Sequence, residues 1–185
     1  EEIETALNFE GWEFKSLKDA GLVSDPEESG TTFLENARIK ARAAHELACA
    51  AVLADDSGLI VDALDGAPGV YSSRYSGVDG DDSANNAKLL RELSAVPLAK
   101  RTARFASVLV FIDEDGLETV AEGFVEGRIG LVERGEHGFG YDPLFFPDAY
   151  NGEVTMAELT QSQKNAISHR GNALRELRKK LHPND

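Results

Sequence analysis

The chain has 185 residues, of which 42% are hydrophobic and 28% are charged, so its composition is that of an ordinary folded protein and excludes a disordered or fibrous one. Acidic side chains outnumber basic ones 33 to 19, which gives a formal net charge of -14 and a field that repels the phosphate backbone of nucleic acids. We therefore expect no nucleic-acid partner, whereas a small anionic substrate is compatible with this charge because a metal ion and a few cations reverse the potential locally.

The first quarter of the chain is predicted to hold two helices. Residues 1–9 have apolar positions at helical spacing behind acidic residues, and they lack the basic start and apolar centre of a secretory signal. Residues 32–48 are the strongest helix, since Thr32 and Glu35 form a capping box before an alanine-rich stripe. Cys49, the only cysteine, excludes an intramolecular disulfide and is predicted to be a small buried side chain. No apolar run reaches membrane-spanning length, so we expect a cytoplasmic protein without membrane contact.

Residues 55–58, Asp-Asp-Ser-Gly, follow the apolar run 51–54 and are predicted to lie at the tip of a buried strand. Two adjacent carboxylates beside a hydroxyl and a glycine can hold a divalent cation, because Mg²⁺ takes one or two carboxylates and completes its shell with water and phosphate oxygens. A polar turn that closes the strand is the alternative. On the preceding helix, Asn36 and Lys40 are one turn apart and can point the same way, although solvated surface groups would give the same pattern.

The middle of the chain is predicted to contain a helix and a hairpin. Residues 82–94 have a helical apolar face, and the two asparagines at 85–86 are interpreted as polar surface. Residues 103–112 are almost wholly apolar, as in a strand covered on both faces, and the turn 113–116 leads into a second strand over 117–128.

The last third begins with a glycine-interrupted aromatic loop and ends in helix. The loop spans 137–143 and precedes the apolar run 144–146. From Thr160, which can form a capping box with Gln163, the pattern is helical, and Gly171 within it indicates close packing or a break between two helices.

The chemistry-bearing residues are dispersed, and no phosphate loop, HExxH, paired CxxC or GxSxG motif occurs. Acids for a metal, cations for phosphate and an aromatic ring for a base together indicate a nucleotide site. The candidates are Glu27 or Glu28, Asp55, Asp56, Lys40, Lys164, Arg170, the loop 139–142 and His169.

Five strings occur in order along the chain: GTTFLENA at 30–37, ADDSGL at 54–59, GAPGVYSSRY at 66–75, GFGYDP at 138–143 and ISHRG at 167–171. With these strings the chain resembles, over residues 1–181, the Ham1/RdgB family of inosine triphosphate pyrophosphatases. The resemblance implies an α/β protein, elongated and two-lobed, with a long mixed β-sheet flanked by helices and an active cleft between the lobes. It also implies a homodimer that uses Mg²⁺ to hydrolyse non-standard purine nucleoside triphosphates (ITP, dITP, XTP) to the monophosphate and pyrophosphate.

The resemblance also implies residue roles. Glu28, Asp55 and Asp56 would bind the metal, with Glu27 competing for the first position, and Asp56 would be the catalytic proton acceptor for the attacking water. The substrate-binding residues would be Lys40 and Ser57 on the phosphates, Phe139 stacked on the purine, Gly140, Tyr141 and Asp142 around base and sugar, and Lys164, His169 and Arg170 closing over the nucleotide.

Family members open with a strand and a Ser/Thr-x-Asn-x-x-Lys motif that grips the triphosphate, and this sequence starts where that motif should end. We therefore expect a single Ham1-like domain over 1–185 that lacks this strand and motif, with a further segment before residue 1 in the parent protein. Two alternatives stay open: a catalytically impaired nucleotide-binding module, and a related metal-dependent pyrophosphatase with another base preference.

Overall fold

The structure, a computed structural model, describes residues 12–182, so the helix predicted over 1–9 lies outside the described residues. No helix in this part of the chain is long and apolar enough to cross a membrane. The helices and strands are α1 (Phe33–Ala48), β1 (Val52–Val61), α2 (Asp82–Glu92), β2 (Thr102–Ile112), β3 (Glu118–Ile129), β4 (Phe145–Pro147), α3 (Gln161–Ile167) and α4 (His169–Leu181).

The strands form a four-stranded sheet in the order β1-β2-β3-β4. The predicted β2–β3 hairpin is confirmed, and β4 pairs antiparallel with the end of β3. Strand β1 is antiparallel to β2, because Asp55 meets Ser107 while Asp62 meets Thr102. The α/β class is confirmed. The sheet is antiparallel over the described strands, where the resemblance implied a mixed one.

By its contacts the chain divides into two compact units. Within the described residues, the first unit comprises 12–56, 107–123 and 170–182, and the second comprises 57–106 and 124–169. The two lobes implied by the resemblance agree with this division, and the cleft expected between them stays a prediction.

In the first unit, a helix packs on each face of the strands. On one face, a cluster contains residues of α1 and alternate strand residues, namely Ala37, Ala41, Val52, Ala54, Val108, Val110 and Ile112. On the opposite face, a cluster contains residues of α4 and the intervening strand residues, namely Leu53, Leu109, Phe111, Ala121, Ala173, Leu174 and Leu177. Because successive side chains of a strand point to opposite faces, Asp56 continues the α1 row and Asp55 continues the α4 row.

The second unit has its own core beneath α2, built mainly from Leu59, Leu89, Leu93, Phe105, Ile129, Tyr141, Leu144 and Phe145. The interpretation of 85–86 as polar surface is wrong, since Asn85 and Asn86 are 2% and 3% exposed. Asn85 accepts the Ser76 N–H at 2.7 Å and donates to the Ser73 carbonyl at 3.0 Å. The two side-chain amides can be buried because they form hydrogen bonds with backbone groups of the loops, in place of the hydrogen bonds that water would make.

The helix ends follow local sequence chemistry. The capping boxes of Thr32 and Thr160 are confirmed. The helical run after Thr160 breaks at Ser168, and Gly171 is a buried residue inside α4. Cys49 is exposed, so its predicted burial is wrong. Helix α1 ends at Ala48, and Cys49 is its C-cap residue with a left-handed φ of 49°. This backbone conformation turns the Cys49 side chain away from the packed face of the helix.

Candidate active site

Strand β1 carries the two tandem acids in its interior. It runs unbroken from Val52 to Val61, so the predicted position of 55–58 at a strand tip is wrong, and so is the alternative of a closing turn. Since Asp55 and Asp56 lie on opposite faces of the strand, each has its own set of partners.

Asp56 faces helix α1, where Lys40 donates from Nζ to its Oδ1 at 2.7 Å. The same ammonium lies 3.6 Å from Glu28 Oε1. Glu28 is half-buried beside Lys40 whereas Glu27 is exposed, so Glu28 is the acid that joins this cluster. The structure thus brings together Glu28, Lys40 and Asp56, three of the residues predicted for phosphate and metal.

Burial raises the pKa of the Asp56 carboxyl above its ordinary value, and the nearby charge of Glu28 adds to this rise while Lys40 opposes it. Asp56 is only 8% exposed. A carboxylate whose pKa is raised holds a proton more readily, which suits a group that accepts a proton from water.

The Asp56 cluster fits a divalent cation with few protein ligands. Asp56 Oδ2 is buried and has no hydrogen-bond partner among the described protein atoms. The described residues contain no group of three or more His, Cys, Asp or Glu side chains suited to a metal. A site with two carboxylates, those of Glu28 and Asp56, matches the preference of Mg²⁺ for one or two carboxylates with water and phosphate oxygens.

Asp55 is held on the opposite face of β1. Its Oδ1 accepts the Ser107 hydroxyl at 2.8 Å, and its Oδ2 accepts from the Arg170 guanidinium at 2.8 Å and 2.7 Å. Both oxygens are therefore engaged, and the structure pairs Asp55 with Arg170, near the start of α4, instead of converging it with Asp56.

The first unit contains a groove of about 1500 Å³ that residues 50–55 line consecutively. Glu28 and Lys40 line the same groove.

The aromatic loop of the second unit is fixed from below by a buried ion pair. Asp142 Oδ2 accepts the backbone N–H of Phe139 at 2.9 Å and the Lys164 Nζ at 2.5 Å. Asp142 and Lys164 are 3% and 9% exposed. Lys164 Nζ also lies 4.4 Å from the centroid of the Phe139 ring, which is itself 64% exposed. An exposed ring on a rigid support is suited to stacking on a base.

Two side chains of helix α2 also form hydrogen bonds with this loop. Asp82 Oδ2 accepts the Gly140 N–H at 2.7 Å, and Asn86 Nδ2 donates to the Gly140 carbonyl at 3.1 Å. Neither Asp82 nor Asn86 was among the predicted site residues, because nothing in a single sequence links positions 82 and 86 to position 140.

The remaining predicted residues have different surroundings. Tyr141 is 4% exposed and donates its hydroxyl to the Ser72 carbonyl at 2.8 Å, and burial raises its pKa. The Tyr141 ring packs in the core of the second unit, so it anchors the aromatic loop to that core. His169 stacks on Phe105, with ring centroids 5.1 Å apart and planes at 19°. Ser57 is half-buried in β1.

The model of the Ham1 family matches residues 1–180, and the chain belongs to that family. The predicted resemblance is thereby confirmed. The dITP/XTP pyrophosphatase of Exiguobacterium sibiricum is 49% identical over 176 residues, which are 95% of this chain and 88% of that protein. Among solved structures, a HAM1 protein from Coxiella burnetii matches with a TM-score of 0.89 and 41% identity, over 98% of this chain and 92% of that one. A nucleoside-triphosphatase / dITP/XTP pyrophosphatase from Mycobacterium abscessus matches with a TM-score of 0.78 and 45% identity, over 93% and 87%.

Proposed function

We propose that this protein is a nucleoside triphosphate pyrophosphatase that hydrolyses non-standard purine nucleotides, dITP, ITP and XTP, to the monophosphate and pyrophosphate. The observation that carries the proposal is the 49% identity, over 95% of the chain, to a protein named for dITP and XTP. The Asp56 cluster and the Phe139 loop supply residues with the chemistry that such a reaction needs.

In this reaction Asp56 accepts a proton from the water that attacks the α-phosphorus. Its raised pKa supports that role. Lys40 keeps the Asp56 carboxylate in position through Oδ1. An ammonium has three N–H donors, so the Lys40 side chain can also donate to a phosphate oxygen. Mg²⁺ held by Glu28 and Asp56 would neutralise the phosphates and the leaving pyrophosphate.

The partners of Asp55 support a different role for that residue from the predicted one. Because both of its oxygens are engaged, we assign it the task of holding Arg170 at a fixed position rather than binding the metal. Held in this way, Arg170 would contact the nucleotide, as the resemblance implied.

Phe139 is the proposed stacking surface for the purine. Hypoxanthine and xanthine carry a 6-oxo acceptor where adenine carries an amino donor, so a pocket of hydrogen-bond donors leaves adenine with unpaired polar groups and rejects it strongly. The N–H groups of Phe139 and Gly140 already donate to Asp142 and Asp82, so the donors that read the 6-oxo group must come from other positions.

The test is steady-state pyrophosphate release from dITP, XTP, ITP, dATP, dGTP and dUTP, with Mg²⁺ and with a chelator. We expect kcat/KM for dITP and XTP to exceed that for dATP by at least about 100-fold and to vanish with the chelator. Equal rates on all substrates, or a preference for dUTP, would favour the related pyrophosphatase of different base preference. Calorimetric binding of ITP without Mg²⁺-dependent turnover would favour the impaired binding module.

We also propose a homodimer in the cytoplasm, without a nucleic-acid partner. The free nucleotide pool is the source of such substrates, and the net charge of -14 opposes binding to polynucleotides. Sedimentation equilibrium measures the oligomeric state directly, and a monomer at micromolar concentration would contradict the dimer.

A further inference from the structure

The ring of Phe139, the proposed stacking surface, lies between two glycines. Gly138 and Gly140 have φ values of +85° and +60°, both in the left-handed region. Because glycine places few limits on the backbone, the sequence of the loop does not by itself determine where the ring lies. The ring is 64% exposed, so packing fixes its position only in part. Hydrogen bonds to the backbone at 139–140 must supply the remaining order.

All four backbone polar groups of Phe139 and Gly140 form hydrogen bonds. Those of Phe139 stay within the loop, where its N–H donates to Asp142 Oδ2 at 2.9 Å and its carbonyl accepts the Asp142 N–H at 3.2 Å. Those of Gly140 join helix α2. The Gly140 N–H donates to Asp82 Oδ2 at 2.7 Å, and the Gly140 carbonyl accepts from Asn86 Nδ2 at 3.1 Å. The two bonds from α2 therefore connect the middle of the loop to the rest of the second unit.

Asp82 and Asn86 bind the same glycine because they lie four positions apart on one face of α2. Asn86 is 3% exposed, so the helix carries at a core position an amide whose donor binds the loop. The neighbouring residues of the same types have other partners. Asp81 is the helix N-cap and accepts the Ala84 N–H at 2.9 Å, and Asn85 forms its hydrogen bonds with a different loop. Each contact to the aromatic loop thus has a neighbour of the same residue type that does not make it.

We propose that Asp82 and Asn86 are positioning residues for the purine, because their hydrogen bonds to Gly140 hold the Phe139 ring where it stacks on the base. This inference rests on the proposed function. The two side chains act through the ring and do not contact the nucleotide themselves. Without them the ring occupies the stacking position in a smaller fraction of molecules, and the apparent affinity falls in proportion. Stacking stabilises bound substrate and transition state alike, so KM should rise while kcat changes little.

The test compares each positioning residue with its neighbour of the same type, with dITP as substrate and Mg²⁺ present. Asp82→Ala and Asn86→Ala should each raise KM by about 3- to 10-fold, with kcat within about 2-fold of the wild type. Asp81→Ala and Asn85→Ala should lower the melting temperature, since they remove a helix cap and a buried amide, but leave KM within about 2-fold. Asp82→Asn keeps an acceptor for the Gly140 N–H, so its KM should stay within about 2-fold of the wild type.

A double variant distinguishes positioning of the ring from a general loss of structure. Phe139→Ala removes the stacking ring and should raise KM by about 5- to 150-fold. Adding Asp82→Ala to Phe139→Ala should change KM by less than about 2-fold further, because no ring is left to position. The inference is overturned if the two changes in KM multiply, or if Asp81→Ala raises KM as much as Asp82→Ala.

Amide hydrogen exchange gives a readout that needs no substrate. The Gly140 N–H should exchange at least about 10-fold faster in Asn86→Ala than in the wild type, and within about 3-fold of the wild type in Asn85→Ala. Equal exchange in the two variants would show that Asn86 does not order the loop, which overturns the inference.

The wild type tests the proposed function separately in the same assay. If it binds dITP without turnover, dissociation constants from calorimetry replace KM in every comparison. If it neither binds nor hydrolyses dITP, the proposed function fails, and the inference fails with it. An active wild type whose variants all keep an unchanged KM contradicts the inference alone.

Discussion

The buried pair of Lys164 and Asp142 should be the most sensitive electrostatic contact in the second unit. In Lys164→Met the apolar stem is retained, but the carboxylate of Asp142, 3% exposed, loses the cation that compensates its burial. Removing one partner of a buried ion pair costs about 3–5 kcal/mol, because an uncompensated charge remains. For a chain of this size, 1 kcal/mol shifts the melting temperature by about 2–4 °C, so the variant should melt roughly 6–20 °C lower. Thermal and urea unfolding followed by circular dichroism measure both quantities.

The double variant Lys164→Met/Asp142→Asn distinguishes two contributions to the loss of stability: the attraction between the two charges, and the cost of burying the Asp142 carboxylate without a partner. It removes both charges, and the new amide can still accept the Phe139 N–H, so we expect it to recover about 2–3 kcal/mol relative to the sum of the single variants. Lys88→Met is the matched control, because Lys88 also lies over an aromatic ring, 4.1 Å from the centroid of Tyr75, but pairs with a carboxylate that is 36% exposed. That change also removes the hydrogen bond from Lys88 to the Tyr75 carbonyl at 2.8 Å, so it should cost about 1–2 kcal/mol. The reasoning is refuted if Lys164→Met costs no more than the control, or if the double variant shows no coupling.

Three further changes test other parts of the molecule. Asp56→Asn should abolish turnover of dITP and leave the circular dichroism spectrum unchanged, and a near-normal rate would remove Asp56 as base and ligand. Gly138→Ala places a Cβ 2.1 Å from Asp142 Oδ2 at a φ of +85°, so it should lower the melting temperature and raise KM, and an unchanged KM would contradict the role of the loop. The pKa of Glu158 is lowered, chiefly by the Thr155 N–H, so its stabilisation is present above the unfolded pKa and lost as pH falls through the folded pKa. Glu158→Gln should therefore lower the melting temperature at pH 7 but hardly at pH 3. An equal decrease in melting temperature at both pH values would show that the charge of Glu158 is not the source of this stabilisation.

Local features of the fold could be predicted because their causes lie within a few residues. The capping box of Thr32 and Glu35 and the hairpin turn at 113–116 depend on side chains three or four positions apart. The family resemblance extended the prediction to the Asp56 cluster, where the structure brings Glu28 beside Lys40. What a single sequence could not supply were contacts across long separations, such as Asn86 with Gly140, because the hydrogen bond joins two segments whose proximity is decided by the packing of α2.

The tandem acids of β1 illustrate how tertiary context can reverse a local preference. Asp, Ser and Gly favour turns, yet 55–58 is strand because the flanking apolar residues are covered by a helix on each face. An extended strand sends two successive carboxylates to opposite faces, so each needs a cation from a different helix, and the chain provides Lys40 from α1 and Arg170 from α4. In this strand the two adjacent acids therefore have separate cationic partners. Asp56, the proposed proton acceptor, is the more deeply buried acid of the pair, and that burial raises its pKa.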